Sequence, residues 1–369
     1  MKITLNYDSA CDFCEGMASV CRDGKWGFID TSGREVVPCK YDCVDDFHEG
    51  MARVNIGGRW NLYRPERMSL CGGKTGFVDK TGREVILCQY LHAENFHDGF
   101  AEVFVEKDGK GDYFLIDKSG QRADSGRFFV DVVFSEGLSK SYYDDHDDLK
   151  IGFMDKTGSD VIPCIYDDAG DFHEGLARVA RNKKWGFVDK TGREVVPCKY
   201  EAVYDFYEEM ARVCVGGEWH YDEEEGEDYL SGGKMGYVDK SGHEVIPCQY
   251  VWANDFHDGL ACVNVGEKEY GFIDKTGRVV IRDVNPFSEF SEGLAIFHSG
   301  HKSGYIDTIG QVAIPARFDR AYDFHDGLAM VKENRTWGFI DKTGQMVIEY
   351  KTEPAPEPPK FHVSDDLPF

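Results

Sequence analysis

Short stretches of alternating apolar and polar residues, separated by glycine-containing turns, run along most of the chain. Residues 26–29, 35–38 and 51–54 are typical, and each is about as long as a short β-strand. Alternation matches the side-chain period of a strand, and no helix-length segment keeps the spacing of an amphipathic helix. The pattern therefore predicts an all-β fold.

The strands are grouped by a two-part motif that recurs nine times between about Tyr7 and Tyr350. The first part is Phe-x-x-Gly and the second is Gly-Phe-Ile-Asp-x-x-Gly, with one degraded copy of the second part at Phe114. Most neighbouring copies lie 33 to 38 residues apart, and two steps measure 49 and 50 residues. Nine copies of a compound motif predict an array of nine structural repeats. The first part begins at Phe13, Phe47, Phe96, Phe134, Phe172, Phe206, Phe256, Phe290 and Phe324, and the second at Gly27, Gly76, Gly152, Gly186, Gly236, Gly271, Gly304 and Gly338.

Each repeat contains three predicted strands. The first follows Phe-x-x-Gly, the second carries Gly-Phe-Ile, and the third follows the Asp-x-x-Gly turn. In the first repeat this turn runs from Asp30 to Gly33, because aspartate can accept a turn hydrogen bond and glycine can adopt a positive φ. Pro38 and its counterparts follow the third strand, and we expect them to end its pairing because proline lacks an N–H.

The arrangement of the repeats has two possible forms. Propeller blades usually need four strands and about 40–45 residues, which is more than the short repeats provide, and the first and last repeats both look complete. We therefore expect an open superhelical, solenoid-like array of nine three-stranded antiparallel β repeats of about 34 residues. A closed β-propeller-like ring is the alternative. The array spans residues 1–350, with insertions near 57–73 and 216–233, and we expect the proline-rich acidic tail, residues 351–369, to be disordered.

The second part of the motif reads Lys-Trp-Gly-Phe-[Ile/Val]-Asp from Lys25 and Lys184, and Trp-Gly-Phe-Ile-Asp from Trp337. Together with Phe-His-Glu-Gly-Leu-Ala from Phe172, these residues resemble the bacterial WG repeat family, also called KWG repeats. The resemblance covers nearly the whole chain, and it implies a repeat fold without a common enzymatic activity. Six of the nine repeats lack the tryptophan, so we expect it to serve packing and not ligand contact.

The sequence also has a longer period, which spans four of the short repeats. Trp26, Trp185 and Trp337 mark repeats one, five and nine, at spacings of 159 and 152 residues, and repeats two and six carry the long insertions. The simplest account is duplication of a block of four repeats, followed by one further repeat.

Charge and composition exclude several classes of partner. Acidic residues outnumber basic ones by 67 to 42, which gives a formal net charge of −25, so we expect no nucleic-acid partner. No run of 18 apolar residues is present, so we expect no membrane partner. The first eight residues lack the apolar core of a secretory signal, and we expect a cytoplasmic protein.

Five of the twelve cysteines occupy one position of the repeat. Ala316 stands there in repeat eight, which indicates a site for a small apolar side chain. Cys11 and Cys14 form a CxxC pair, but no second pair follows at the spacing of zinc ligands. We therefore expect a structural cysteine ladder, no metal and no cofactor, with metal or disulfide roles as the alternative. The ladder consists of Cys39, Cys88, Cys164, Cys198 and Cys248.

A histidine follows the phenylalanine of Phe-x-x-Gly in five repeats. Cys14, Ser135, Tyr207 and Ser291 replace it elsewhere, so we expect a hydrogen-bonding turn residue and not a proton-transfer site. Because no arrangement of nucleophile and base stands apart from the repeat, we also expect no enzymatic activity. The histidines are His48, His97, His173, His257 and His325.

An aromatic residue follows the third strand in most repeats. Such a ladder could pack one repeat on the next or stack on a carbohydrate, and we expect packing. The residues are Tyr7, Tyr41, Tyr90, Tyr166, Tyr200, Tyr250, Phe318 and Tyr350.

The two insertions are the best candidates for binding. Each lies between paired glycines and contains a tryptophan and a tyrosine, residue types that are enriched at interface hot spots. Their charges are opposite, with three arginines and one glutamate in the first and seven acidic residues in the second. We predict two hairpin-like arms, with diverged solvent loops as the alternative. The candidate binding residues are Arg59, Trp60, Tyr63, Arg64 and Arg67 in the first arm, and Trp219, Tyr221, Glu223, Glu224 and Glu225 in the second.

These observations predict a non-catalytic protein-interaction scaffold that binds a partner protein through its arms and the face of the array. The oppositely charged arms also allow self-association. A carbohydrate or small-ligand module that uses the repeated aromatic residues is the alternative.

Overall fold

A computed structural model describes residues 3–61, 69–107, 109–123, 133–144, 149–222, 227–266, 269–285 and 289–350. Every helix or strand assigned within these ranges is a β-strand, which confirms the all-β prediction. The predicted disordered tail, residues 351–369, lies outside the described residues.

The strands are numbered in chain order. Those of the N-terminus and repeats one to three are β1 (Ile3–Leu5), β2 (Ser9–Cys14), β3 (Met17–Arg22), β4 (Lys25–Asp30), β5 (Glu35–Tyr41), β6 (Cys43–His48), β7 (Met51–Ile56), β8 (Arg59–Asn61), β9 (Ser69–Cys71), β10 (Lys74–Asp79), β11 (Glu84–Tyr90), β12 (His92–Ala93), β13 (Phe100–Lys107) and β14 (Lys110–Asp117). Those of repeats four to six are β15 (Leu138–Asp144), β16 (Leu149–Asp155), β17 (Asp160–Tyr166), β18 (Asp168–His173), β19 (Leu176–Arg181), β20 (Lys184–Asp189), β21 (Glu194–Tyr200), β22 (Ala202–Tyr207), β23 (Met210–Val215), β24 (Glu218–Asp222), β25 (Glu227–Ser231), β26 (Lys234–Asp239) and β27 (Glu244–Tyr250). Those of repeats seven to nine are β28 (Leu260–Gly266), β29 (Glu269–Asp274), β30 (Val279–Arg282), β31 (Phe290–Ser291), β32 (Leu294–Ser299), β33 (Lys302–Asp307), β34 (Val312–Phe318), β35 (Arg320–His325), β36 (Leu328–Glu333), β37 (Thr336–Asp341) and β38 (Met346–Tyr350).

Most repeats form a four-stranded antiparallel sheet, so the prediction of three strands per repeat is wrong. The additional strand carries the phenylalanine of Phe-x-x-Gly, as in the sheet β2-β3-β4-β5. In repeat two the register jumps between Val44 and Phe47, so Asp45 and Asp46 form a bulge in β6. The bulge interrupts the alternation of apolar and polar residues, which hid this strand in the sequence. The other four-stranded sheets are β6-β7-β10-β11, β18-β19-β20-β21, β22-β23-β26-β27 and β31-β32-β33-β34; the described residues of repeats three, four and seven form three-stranded sheets.

The third predicted strand does not end at its proline. Strand β5 continues through Pro38 to Tyr41, and Trp26 pairs with Tyr41 while Phe28 pairs with Val37. Three residues therefore bulge outward opposite a single one, and Pro38 sits in this bulge. A missing N–H costs nothing there because the bulged residue is not part of the ladder.

The Asp-x-x-Gly turn has the predicted geometry. The Asp30 carboxylate accepts hydrogen bonds from the backbone N–H groups of Ser32 and Arg34 at 3.0 and 3.1 Å. Gly33 has a φ of 77°, in the left-handed region. Its N–H donates to the Asp30 carbonyl at 2.8 Å, which closes the turn.

The Phe-x-x-Gly motif is a second turn, between the first two strands of each sheet. Glu15 and Gly16 have φ values of 52° and 81°, so both central residues are left-handed, as a type I′ hairpin requires. In repeat six the second position holds Glu209 with a φ of 69°, where a side chain is strained.

The predicted open array is wrong because the two ends of the chain meet. Strand β1 pairs in parallel with β38, with Ile3 opposite Ile348 and Leu5 opposite Tyr350. The Phe13 ring of repeat one packs edge-on against Phe339 of repeat nine, with centroids 4.9 Å apart. An open array would hold its first and last repeats apart. The sheets are therefore propeller-like blades, as in the alternative, and the first and last blades are neighbours in the first unit.

The chain divides into two compact units, residues 1–133, 299–304 and 314–369, and residues 134–298 and 305–313. In the first unit, the contact between Phe13 and Phe339 belongs to an apolar core between repeats nine and one. A similar contact joins Phe28 to Phe47 between repeats one and two, at 4.9 Å. The second unit uses the same contact, for example between Phe153 and Phe172. Apolar cores therefore lie between neighbouring sheets and not within them.

Closure makes the first repeat as well packed as an internal one. We expect Phe13→Ala to lower the free energy of unfolding by about 3–5 kcal/mol, the usual cost of removing a buried aromatic ring. Phe47→Ala is the matched variant, because its ring makes the same edge-on contact inside the array. Urea unfolding should give similar losses for both. A loss at Phe13 far below that at Phe47 would contradict a packed junction between repeats nine and one.

The strained turn of repeat six offers a stabilising substitution. Glu209→Gly should raise the free energy of unfolding by about 1 kcal/mol, since glycine adopts the left-handed conformation without a steric penalty. Gly50→Ala, at the same position of repeat two, should have the opposite effect. Thermal unfolding of both variants checks this, and a less stable Glu209→Gly protein would contradict it.

Candidate interaction site

Both insertions form separate two-stranded hairpins, as predicted. The first is made by β8 and β9, which pair Trp60 with Leu70. The second is made by β24 and β25, which pair Trp219 with Leu230. The same tryptophan–leucine pair thus recurs in the two arms, at the spacing of the longer period in the sequence.

Glycines let each arm leave its sheet. Gly73 has a φ of 77°, and a Cβ there would lie 2.8 Å from the Cα of Gly58. In the second arm Gly233 has a φ of 83°, and a Cβ there would lie 2.6 Å from the carbonyl oxygen of Gly216. The two chain segments cross too closely at the base of each arm for any side chain, so these positions require glycine.

The predicted binding residues divide into those inside and those outside the described ranges. Arg59 and Trp60 lie in β8, and Trp219 and Tyr221 lie in β24. Tyr63, Arg64 and Arg67 of the first arm, and Glu223, Glu224 and Glu225 of the second, lie outside the described residues.

Trp219 is the best-defined aromatic residue of the arms. Its side chain is 47% exposed, although its Nε1–H donates to the Glu201 carbonyl at 3.2 Å. The ring is therefore held in one orientation while much of its apolar face remains in water. Beside it, His220 Nε2 lies 2.7 Å from Ser231 Oγ across the hairpin. This arrangement suits an aromatic contact residue, because little conformational freedom remains to be lost on binding.

A second repeated structure joins neighbouring blades at the Phe-x-x-Gly turns. The Glu15 carboxylate accepts the backbone N–H groups of Glu49 and Gly50 in the next repeat at 2.8 and 2.9 Å. It also pairs with Lys80 Nζ at 2.9 Å. We call this arrangement the turn clasp. In the first unit Asp326 accepts the Gly16 N–H at 2.6 Å, so a clasp also joins repeat nine to repeat one.

Three clasps, at Glu15, Glu49 and Glu174, favour the charged form of their carboxylates. Partial burial would by itself raise the pKa of Glu15, but hydrogen bonds from Lys80 and Gly50 outweigh burial and lower it. The pKa values of Glu49 and Glu174 are lowered in the same way. The acidic residue of Phe-x-x-Gly thus has a structural role, because its carboxylate joins one blade to the next.

A charged cluster around Arg53 was not predicted from the sequence. The Arg53 side chain is almost fully buried, and it contacts the Asp45 carboxylate at 2.5 Å and the Ala93 carbonyl at 2.5 Å. Glu94 lies 3.4 Å away, and Asn95 donates to Asp45 at 3.1 Å. Burial raises the pKa of Asp45, but Arg53 outweighs this effect and the pKa is lowered. The only signal in the sequence was an arginine within the mainly apolar strand β7.

A related cluster occupies the corresponding place in repeat six. Arg212 binds the two carboxylate oxygens of Asp255 at 2.6 and 3.0 Å and donates to the Ala253 carbonyl at 2.8 Å. Its guanidinium lies 3.9 Å from the centroid of the Tyr204 ring. Because both arginines contact the next repeat, they bridge blades in the two repeats that carry arms.

The histidine position lies at the turns. His48 and His97 have ring centroids 6.0 Å apart, and Tyr207 lies 6.2 Å from His173 and 5.8 Å from His257. In two repeats where the histidine is replaced, the substitute donates to the next repeat: Cys14 to the Phe47 carbonyl at 3.4 Å and Ser135 to the Phe172 carbonyl at 2.6 Å. These two contacts agree with the predicted role of a turn hydrogen-bonding residue.

The cysteine ladder is half-buried and hydrogen-bonded within each sheet. The Cys39 thiol contacts the Val20 carbonyl at 3.6 Å, and Cys198 contacts Val179 in the same way at 3.6 Å. Burial raises the pKa of Cys39 to about 12, so its thiol stays protonated at neutral pH. Within the described ranges, no group of three potential metal ligands is assembled.

The aromatic ladder lies in the cores. Tyr41, Tyr166, Tyr200 and Phe318 are almost inaccessible to solvent, and Tyr41 donates to Glu84 of the next repeat at 2.6 Å. These rings pack one repeat on the next, as predicted, and have no free face on which a sugar could stack.

The same repeats match a known protein family. The family described as "WG containing repeat" matches nine segments, which together cover well over half of the chain. The chain belongs to this family. The segments are residues 1–26, 26–60, 76–110, 151–185, 185–219, 235–268, 270–297, 304–336 and 337–351.

This WG-repeat protein also has structural neighbours. A crystal structure of a eukaryotic initiation factor superposes with a TM-score of 0.52 at 12% identity, covering 83% of this chain and 86% of that one. BamB from Moraxella catarrhalis matches with a TM-score of 0.33 at 12% identity, over 93% of this chain and 96% of that one. At these identities the first neighbour shows a shared fold, and the second supports no further argument. No curated protein matches the chain in sequence. In the described ranges, no helix is long and apolar enough to cross a membrane.

The turn clasps predict loss of stability in acid. A carboxylate whose pKa is lower in the folded than in the unfolded protein stabilises the fold at neutral pH. This stabilisation is lost as the pH falls through the pKa of the folded state. We expect Glu15→Gln to lower the free energy of unfolding at pH 7 by about 1 kcal/mol and to have a much smaller effect near pH 3. Denaturant unfolding across this pH range measures the difference. Glu106→Gln, at an exposed position of β13, is the control. An equal loss at both pH values would contradict an ionised clasp.

Proposed function

We propose that this WG-repeat protein is a non-catalytic interaction scaffold whose partner-binding elements are its two hairpin arms. The observation that carries the proposal is the exposure of Trp219 on a hairpin that its own indole N–H ties to the scaffold. A fixed and exposed tryptophan can bury a large apolar area in an interface at little entropic cost. The backbone pairing of Trp60 with Leu70 gives Trp60 the equivalent strand position in the first arm.

The charges of the arms favour protein partners of opposite charge. Arg59, Arg64 and Arg67 belong to the first arm, whereas the second contains seven acidic residues. Electrostatic complementarity would therefore draw the first arm of one copy to the second arm of another, or each arm to a partner of opposite sign. The turns and cores of the blades supply the rigid framework. A carbohydrate module that uses the repeated aromatic residues receives no support, because those rings are buried.

Charge reversal in the first arm tests this proposal. The variant Arg59→Glu, Arg64→Glu, Arg67→Glu should weaken association at least tenfold, and high salt should weaken association of the wild type. Sedimentation velocity measures self-association, and an affinity pull-down with mass spectrometry identifies other partners for assay as purified proteins. A second variant, with residues 59–71 and 218–231 shortened to Gly-Ser, should lose the partner altogether.

A matched control carries the same change of charge elsewhere. Arg34, Arg83 and Arg193 are exposed residues of Asp-x-x-Gly turns, where each pairs with its own aspartate. Their reversal should leave association unchanged, because exposed pairs of this kind contribute little. Equal effects of the two triple variants would mean that net charge alone acts. A partner retained by the shortened protein would refute a binding role for the arms.

A further inference from the structure

The outer edges of most blades are unsuited to pairing with another strand. In repeat one, residues 38–40 bulge out of β5, since Trp26 pairs with Tyr41 and Phe28 with Val37. The outer strands of repeats two, four, five and six have the same bulge. Four of these five bulges also carry a proline. Bulges and prolines are common devices that prevent an edge strand from recruiting a further strand. The prolines are Pro38, Pro163, Pro197 and Pro247.

Repeats seven and nine lack the proline and the three-residue bulge, and their outer strands keep only a one-residue irregularity at Val280 and Val347. In repeat nine Gly338 pairs with Glu349, directly beside the pair of Phe339 and Ile348. In repeat seven the pairs of Gly271 with Arg282 and of Phe272 with Ile281 are adjacent in the same way. Arg282 and Glu349 occupy the position that holds proline elsewhere. The outer strands β30 and β38 therefore share the same pairing at these two consecutive positions.

The edge of β38 already has an additional strand. β1 lies parallel to it, with Ile3 opposite Ile348 and Thr4 opposite Glu349. The Ile3 side chain also reaches the turn at Gly33, where an added Cβ would lie 3.6 Å from it, in ordinary van der Waals contact. The chain itself thus shows what a regular outer edge of this protein binds: a short extended segment in parallel orientation.

The equivalent edge of β30 has no such strand among the described residues, where its sheet ends as β28-β29-β30. Val279, Val280 and Ile281 are half-buried, and Arg282 is exposed. Asp283 follows with a φ of 57°, and the Val284 N–H donates to the Tyr270 carbonyl at 3.3 Å, so the chain returns to β29 after one bulged residue. An unpaired edge of this kind presents N–H and C=O groups to an incoming strand.

We propose that β30 is a strand-addition site for an extended segment of a partner protein. The segment would lie parallel to β30, as β1 lies on β38, with an apolar residue opposite Ile281 and an acidic residue opposite Arg282. The apolar residue takes the role of Ile3. The acidic residue takes the place of Thr4, because residues directly opposite each other on neighbouring strands attract when their charges differ. This site is separate from the two arms, so its test does not depend on the proposed function.

Peptides derived from β1 provide the probe. Fluorescein-labelled residues 1–8 of the chain, carrying either Thr4→Glu or Thr4→Lys, are titrated with the full-length protein and followed by fluorescence anisotropy. We expect the glutamate peptide to bind at least tenfold more tightly than the lysine peptide. Arg282→Glu should reverse this order, since the charge opposite the central residue is then inverted. Failure of the glutamate peptide to bind, or an order of affinities that Arg282→Glu leaves unchanged, would overturn the proposal.

A proline substitution separates backbone pairing from charge. Arg282→Pro introduces the residue that five other blades have at this position, and it should abolish binding of both peptides. Leu87→Pro, in the bulged edge of repeat two, is the control and should leave binding unchanged. Thermal unfolding verifies that both variants fold. If Arg282→Pro does not fold, the comparison of the two peptides on Arg282→Glu still tests the site.

Binding that survives Arg282→Pro would place the peptide on another edge, such as β38, and overturn the proposal. A wild-type dimer that Arg282→Pro dissociates would overturn the choice of occupant in favour of a second copy.

Discussion

The sheet of a single repeat cannot bury its own apolar side chains, and the remaining features of the fold follow from this. In most repeats the phenylalanine of Phe-x-x-Gly packs on an aromatic ring of the preceding repeat, as Phe47 does on Phe28. A terminal repeat in an open array would lack such a partner on one side. Closure removes this penalty, because Phe13 packs on Phe339 and the clasp from Asp326 to Gly16 repeats the internal contact. Stacked repeats generally need caps, and here the ends cap each other.

Packing between sheets also explains where charge is tolerated inside the array. Arg53 and Arg212 lie between blades, where an unpaired charge would be costly. Each is held by a carboxylate and by the carbonyl of an alanine in the next repeat. A more exposed bridge of the same kind joins Arg178 of repeat five to Asp205 of repeat six at 3.4 Å, so the device is not limited to the repeats that carry arms.

The outer edges and the insertions have a different role from the packed blades. Bulges close most outer edges, β1 covers the regular edge of β38, and the arms leave the sheets through glycine crossings that no other residue could occupy. The repeated geometry of the blades thus supplies rigidity, and the departures from it supply the surfaces available to partners. The buried tyrosines and the half-buried thiols belong to the rigid framework of the blades, although their repetition alone could have suggested a ligand surface.

Local structure could be predicted from the amino-acid sequence alone. Asp30 and Gly33 specify a turn through their own hydrogen bonds and φ preference, and paired glycines with an alternating segment specify the arms, because these interactions span few residues. The fourth strand was missed because Asp45 and Asp46 bulge out of the ladder, which erases the alternation on which a strand prediction relies. Closure, by contrast, arises from the packing of the whole chain. Whether Phe13 meets Phe339 depends on small rotations between successive blades, and no short-range pattern of side chains records their sum.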